Sequence, residues 1–184
     1  IAHNPTYVSI AQSNYTKGSG AVLPLQEFQQ PLYVVNQFTA SDGTGSTYQN
    51  QFHYYHARMH VQGRGFAGFE IQRVFDTRNS LYTHDYVGQT FPFVGMHKQR
   101  LVYQSNGTTQ LSSTVLGHSQ QVAGGSGFEQ RIFPFVSAAT DLRYELGGTS
   151  NGQLIKQVNR SFAYADGFGN LTQESTSAVD KDLN

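Results

Sequence analysis

The chain has 184 residues, of which 38% are hydrophobic, 13% aromatic and only 13% charged; twelve basic and twelve acidic side chains give a net charge of zero. Proteins that bind nucleic acids through phosphate contacts normally carry an excess of basic residues, so we expect no nucleic-acid partner. The sequence lacks cysteine, which excludes disulfides, thiolate zinc sites and cysteine nucleophiles. No apolar run is long enough for a membrane span, and the first residues lack the pattern of a signal peptide.

Along the chain, residues 1–25 show no regular pattern and are predicted to be an irregular lead-in, whereas residues 26–184 are predicted to form a single all-β domain. Helical periodicity is missing, and alternation of apolar and polar residues is common. The predicted strands are Leu32–Ala40, Tyr48–Val61, Phe66–Phe75, Leu81–Val87, Lys98–Gln104, Gln110–His118, Thr140–Leu146, Leu154–Tyr164 and Leu171–Ser177.

Glycine-rich turns join these strands. Turns at residues 62–65 and 147–152 each separate two alternating runs and predict two long hairpins. Residues 123–127 read Ala-Gly-Gly-Ser-Gly and are predicted to be a mobile loop. We therefore expect long antiparallel strands, either as part of a larger β-shell or, in an isolated fragment, as a β-sandwich or open barrel.

One glycine motif matches a dinucleotide-binding fingerprint by its letters. Gly63, Gly65 and Gly68 have the required spacing, but the mechanism needs a helix that begins at the motif, and the following residues alternate as a strand. The interpretation we favour is a turn that brings backbones close together, and we expect no cofactor.

Histidines at positions 53, 56 and 60 are the main candidates for a metal or catalytic site. On a strand His56 and His60 share a face while His53 lies opposite, so the three converge only if the strand bulges. No nucleophile elbow or carboxylate pair is present. We therefore expect neither a metal nor catalysis, and a small hydrolase that uses His56 or His60 stays an alternative.

Four segments resemble the bacterial Rhs/YD-repeat family, and in particular SpvB-like proteins and the TcdB-like B component of insecticidal toxin complexes. Gly63–Phe69 is similar to the signature GRGFxGF, and Gln89–Met96 is similar to QDFPFxGMP, with His97 where proline is usual. Arg131–Phe135 resembles YFPY, and Tyr164–Thr172 resembles a degenerate YDxxGNLT repeat. The resemblance runs from about residue 48 to residue 176.

This resemblance implies a non-enzymatic structural domain of a secreted or cell-surface bacterial protein. The family's long strands form a hollow shell that encloses a toxic C-terminal polypeptide and delivers it through a pore-forming partner. The chain would then be a piece of a larger parent polypeptide. The residues to which the resemblance assigns structural roles are Gly63, Arg64, Gly65, Phe66, Gly68, Phe69, Phe91, Pro92, Phe93, Gly95, Phe133, Pro134, Phe135, Tyr164, Gly169 and Asn170.

Two further expectations concern exposed surfaces. A segment cut from a continuous sheet has unpaired edges, so a homodimer through these edges is one expected outcome. The abundance of aromatic residues leaves open a β-sandwich that binds glycans or a protein partner, although strand aromatics more often fill the core.

Overall fold

The computed structural model describes residues 3–12 and 14–180. Its strands are β1 (His3–Ser9), β2 (Tyr15–Thr16), β3 (Leu25–Glu27), β4 (Tyr33–Ser41), β5 (Thr47–His60), β6 (Gly65–Asp76), β7 (Leu81–Val87), β8 (His97–Tyr103), β9 (Gln110–Ala123), β10 (Arg131–Tyr144), β11 (Leu154–Ala163) and β12 (Gln173–Asp180). The one helical segment in the described ranges is a three-residue 3-10 turn, Gly127–Glu129. No helix in these ranges is long and apolar enough to cross a membrane.

All twelve strands belong to one open sheet. Ten of them follow the order β1-β4-β5-β6-β7-β8-β9-β10-β11-β12, and β2 and β3 pair with β5 off this path. From β4 onward each strand pairs antiparallel with the next strand in sequence, as a meander does. The all-β prediction with long antiparallel hairpins is confirmed. The sandwich alternative is wrong for the described residues, because their strands lie in a single sheet.

The strand β5 is long enough to pair with three strands along one edge. Residues Thr47–Gln51 pair with β4, Tyr54 and Tyr55 pair with β2, and Arg58–His60 pair with β3. Asn14 lies where β4 and β5 separate, and its side-chain amide donates to the carbonyl of Phe52 at 3.3 Å. The segment before β4 therefore packs against the sheet.

This packing corrects the prediction of an irregular lead-in, since β1 pairs with β4 from His3↔Ala40 to Ser9↔Tyr33. Alternation does not predict β1, because its residues do not alternate between apolar and polar and include Pro5. Proline is tolerated in β1 because the strand lies at an end of the sheet, where one side needs no hydrogen-bonded neighbour.

The hydrophobic core is small and lies beneath this corner of the sheet. Ile10, Val34 and Tyr54 form its buried centre. The Tyr54 hydroxyl donates to the carbonyl of Val35 at 3.0 Å, and burial raises the pKa of Tyr54 to about 12. Most other large apolar side chains are half-buried or exposed, because no second layer of described residues covers the sheet outside this corner.

The two faces of the sheet differ in charge. Residues that pair between neighbouring strands lie side by side, and they form rows that run across the sheet. On one face, three such rows start at Gln51, His53 and Tyr55 of β5. Arg73 is the one charged residue in these three rows. We name this face the tyrosine face after Tyr55, Tyr82, Tyr86 and Tyr103, which lie on it.

The opposite face carries pairs of opposite charge, and we name it the ion-pair face. Its pairs are Asp85 with Arg100, Asp141 with Arg160, and Lys156 with Asp180. Adjacent residues in a strand point to opposite faces, so this segregation follows directly from alternation in the sequence.

Candidate functional site

The glycine signature forms the β5–β6 turn and the first residues of β6. Gly63, Gly65 and Gly68 all have positive φ, at 94°, 78° and 86°. Arg58 pairs with Gly68 while Met59 pairs with Phe66, so Ala67 is an extra residue in a β-bulge. Glycine at these positions avoids the steric cost that a side chain has in this conformation. The motif is thus a turn followed by a bulged strand, and no helix begins there.

The buried side chain of Gln89 holds this bulge in place. Its Nε2 donates to the carbonyl oxygen of Gly68 at 2.8 Å and to that of His56 at 2.7 Å. His56 itself has a positive φ of 53°, which is uncommon for a residue other than glycine. Gln89 is only 4% exposed, so its side-chain amide is a buried hydrogen-bond donor to both carbonyls.

Residues 88–96 form a compact loop that positions Gln89. The Gly88 amide donates to the carbonyl of Met96 at 2.8 Å, and the Gly95 amide donates to the carbonyl of Gly88 at 3.0 Å. A Cβ atom at position 88 would lie 2.3 Å from the Phe93 carbonyl oxygen, so only glycine fits.

The structure brings the first two family segments together. The guanidinium of Arg64 lies over the ring of Phe91, 3.5 Å from its centroid. Phe66 packs on Phe28 and on Phe69, with centroid distances of 5.1 and 5.7 Å. A cavity of about 410 Å³ beside this contact is lined in part by Arg64, Gln89 and Phe91.

An ionic cluster lies at the same end of β5. The Arg58 guanidinium is 3.4 Å from Glu27 Oε1 and 3.5 Å from Glu70 Oε2, and Glu70 Oε2 is also 2.9 Å from His56 Nδ1. Among the described residues no group of three histidine or carboxylate side chains could hold a metal ion. His53 instead contacts Thr16 Oγ1 through Nε2 at 3.0 Å.

The other two family segments meet near the start of β10. The Tyr164 ring lies 4.4 Å from that of Phe135 and 6.0 Å from that of Phe133. A Cβ at Gly169 would lie 3.1 Å from the Phe133 ring, so the turn passes directly over it.

Asp166 organises that turn. Its carboxylate accepts the backbone amides of Phe168, Gly169 and Asn170 and the Asn170 side-chain amide. The hydrogen bond from the Asn170 side chain, with help from the backbone amides, lowers the pKa of Asp166.

The predicted residues thus fall into two separate clusters on different hairpins. Several of the aromatic residues in them are not core residues, since Phe66, Phe91 and Phe133 are 41%, 48% and 41% exposed. Prediction from sequence missed Gly88, Gln89 and Asp166 as structural residues. A structural role for Gln89 could have been predicted, because Gln89 is the first residue of the second family segment.

Comparison with protein families identifies the chain. Residues 6–99 match the model of the insecticide toxin TcdB middle/N-terminal region. The chain belongs to this family. The matched range begins at residue 6, whereas the resemblance in the sequence motifs begins at about residue 48. Most of β1 and all of β4 therefore lie in the TcdB middle/N-terminal region.

Solved structures show the same fold. The chain resembles a TcdB2-TccC3-Cdc42 structure with a TM-score of 0.60 and 13% identity over 87% of this chain. It resembles a TcdB2-TccC3 structure with a TM-score of 0.56 and 11% identity, and a Photorhabdus luminescens Tc holotoxin pore with a TM-score of 0.55 and 12% identity; each covers 72% of this chain. Comparison with curated proteins gives no significant match.

The chain spans 11% of the TcdB2-TccC3-Cdc42 chain and 10% of the other two. The TcdB middle/N-terminal region described here is therefore a small part of the length of these toxin-complex chains.

Proposed function

We propose that this segment is a structural wall of a toxin-complex shell, which encloses a toxic C-terminal polypeptide and helps to deliver it. The observation that carries the proposal is the single open sheet of twelve strands. Outside the core at the β1–β4 corner, such a sheet leaves both faces without a packed layer among the described residues, and single sheets normally bury one face against another element. In a shell wall both faces have a role, because one face lines the enclosed space and the other face is on the outside.

Two features support this role. The fold similarity is to chains named in complexes with TccC3 and in a holotoxin pore, which fits a parent polypeptide with a toxin-bearing partner and a pore-forming partner. The β12 strand is exposed along its whole length and pairs only with β11 among the described strands, so it offers a free edge to a further strand. We assign the parent protein to the secreted Rhs/YD-repeat and SpvB-like class.

The wall role has a direct test in the assembled parent protein. Ser177 and Thr176 are adjacent, exposed residues of β12 that point to the tyrosine face and the ion-pair face, respectively. Ser177→Cys and Thr176→Cys are matched substitutions in a segment without cysteine. Each variant is treated with a bulky polymer-linked maleimide, and the unsubstituted parent measures background labelling.

A wall occludes one face, so one of the two cysteines should react several-fold more slowly in the assembled shell. After denaturation both cysteines should react at similar rates. Equal labelling of the two positions in the assembled protein would overturn the proposal.

Among the described residues, the arrangement around His56 favours a structural role over an enzymatic one. The acid beside His56 is Glu70, and the oxygen that contacts His56 also contacts Arg58. We propose that these side chains hold β3, β5 and β6 together, and that the segment is not an enzyme.

A further inference from the structure

We propose that His53, Arg73 and His84 form a binding site for a carboxylate side chain of a polypeptide that lies along the tyrosine face. The three residues are direct cross-strand partners, since His53 pairs with Arg73 and Arg73 pairs with His84. Their side chains therefore stand side by side in one row on β5, β6 and β7. This inference extends the proposed function by naming what one face of the wall contacts.

Arg73 is a half-buried cation without a carboxylate partner among the described residues. Its guanidinium lies 5.8 Å from the ring centroid of Tyr55 and 5.5 Å from that of Tyr82. Each other arginine on strands β5 to β8 contacts a carboxylate: Arg58 contacts Glu27 and Glu70, and Arg100 contacts Asp85. Arginine presents a planar fork of donors that matches a carboxylate, and two aromatic rings already hold this one in place.

A cavity of about 350 Å³ opens beside Arg73. It is lined by the amide-bearing residues Asn36, Gln37 and Gln51, by His53 and Arg73, and by Phe52, Phe75 and Tyr82. The amides can donate hydrogen bonds to an anion, and the lining contains no acidic residue that would repel it.

The surroundings favour an acidic side chain of a polypeptide over a small free anion. The site lies in the three rows that start at Gln51, His53 and Tyr55, and Arg73 is the one charged residue in these rows. A free anion would leave the aromatic rings beside Arg73 uncovered, whereas an extended chain can place a carboxylate on Arg73 and cover the adjacent aromatic surface.

The histidines make the site sensitive to pH. Burial first, and then the charge of Arg73, lower the pKa of both His53 and His84, so both are neutral at pH 7. The other titratable groups around them are the hydroxyls of Tyr55, Tyr82, Tyr86 and Tyr103, and Asp85, whose charge raises the pKa of His84 from the opposite face. As the pH falls towards these lowered pKa values, protonation of the histidines adds positive charge, which should tighten binding of a carboxylate.

The test uses the 184-residue chain and a short peptide with blocked ends and one central glutamate. Its glutamine twin and sodium acetate are the comparison probes, and the imidazole resonances of His53 and His84 report binding in NMR titrations. We expect the glutamate peptide to bind several-fold more tightly than both probes, and more tightly at pH 5.5 than at pH 7.5.

Arg73→Gln should weaken binding of the glutamate peptide by about tenfold, as loss of a charge-assisted contact does. Arg78→Gln is the matched control, because Arg78 is exposed and pairs with Asp76 outside the cavity. Equal affinity for the glutamate and glutamine peptides, or unchanged binding by Arg73→Gln, would overturn the site. Acetate that binds as tightly as the peptide would overturn the polypeptide as its ligand. A negative result in the cysteine labelling experiment leaves this test unaffected.

Discussion

Gln89 Nε2 donates a hydrogen bond to the carbonyl oxygen of Gly68 at 2.8 Å, and this contact joins the two most distinctive segments of the sequence. The same nitrogen also serves the carbonyl of His56, so one side chain satisfies two backbone groups at the bulge. Buried carbonyls without a partner are costly, and the bulge therefore depends on a residue that lies 21 positions away in sequence.

We predict that Gln89→Leu lowers the free energy of unfolding of the chain by about 2–4 kcal/mol, because two carbonyls lose their donor while side-chain volume is retained. Urea denaturation followed by circular dichroism measures this change. Gln99→Leu is the matched control on β8, where the glutamine is half-buried, and should change stability by less than about 0.5 kcal/mol. Equal losses in the two variants would show that Gln89 does not support the bulge.

Gly88→Ala is predicted to destabilise the loop of residues 88–96. The new Cβ would overlap the Phe93 carbonyl oxygen at 2.3 Å, and two loop hydrogen bonds of Gly88 would have to shift. A loss of about 2 kcal/mol or more is expected in the same denaturation experiment. Gly20→Ala is the control, since a Cβ there meets nothing within 4 Å. Similar stability of the two variants would contradict the close approach.

The sequence predicts the strands of this fold well because alternation and glycine turns are local signals. The predicted strand Leu81–Val87 coincides with β7, and the hairpin turn at residues 62–65 lies where β5 meets β6. Strand β10 is longer than predicted: it begins at Arg131, although alternation predicts only Thr140–Leu146. A register shift between Val136 and Ala138 interrupts the alternation there.

Contacts between distant segments were harder to predict. The pairing of β1 with β4 and the insertion of Asn14 between β4 and β5 depend on partners far away in sequence. The His53–Arg73–His84 row requires the registers of two strand pairs at once, and periodicity does not determine register. Motif resemblance found the family segments but not Gln89's role, because hydrogen-bond partners are not visible in a sequence pattern.

The ion-pair face should contribute to stability in a pH-dependent way through Asp141. A hydrogen bond from Thr114 Oγ1 at 2.6 Å, followed by the contact with Arg160, lowers the pKa of this carboxyl. A carboxyl with a lowered folded-state pKa stabilises the protein above its unfolded value of about 3.9, and this stability is lost as pH falls through the folded pKa.

Asp141→Asn should therefore be less stable than the unsubstituted chain at pH 7, and the difference should shrink towards pH 3. Urea denaturation at both pH values measures it. Asp180→Asn provides the control, because the Lys156–Asp180 pair is exposed and such pairs contribute less than about 1 kcal/mol. A pH-independent difference for Asp141→Asn would contradict the assignment.

Arg73 should influence the titration of the histidines on both neighbouring strands. Its charge is the second cause, after burial, of the lowered pKa of His53 and of His84. We predict that Arg73→Gln raises the pKa of both histidines towards the ordinary value of 6.5, and that burial keeps them below it. NMR titration of the imidazole resonances measures both values in one experiment. Arg78→Gln should leave them unchanged, since Arg78 pairs with Asp76 and stacks on Tyr48 beyond the row. A raised pKa at only one histidine would mean that Arg73 lies closer to that histidine. An unchanged pKa at both would show that the charge of Arg73 does not act on either of them.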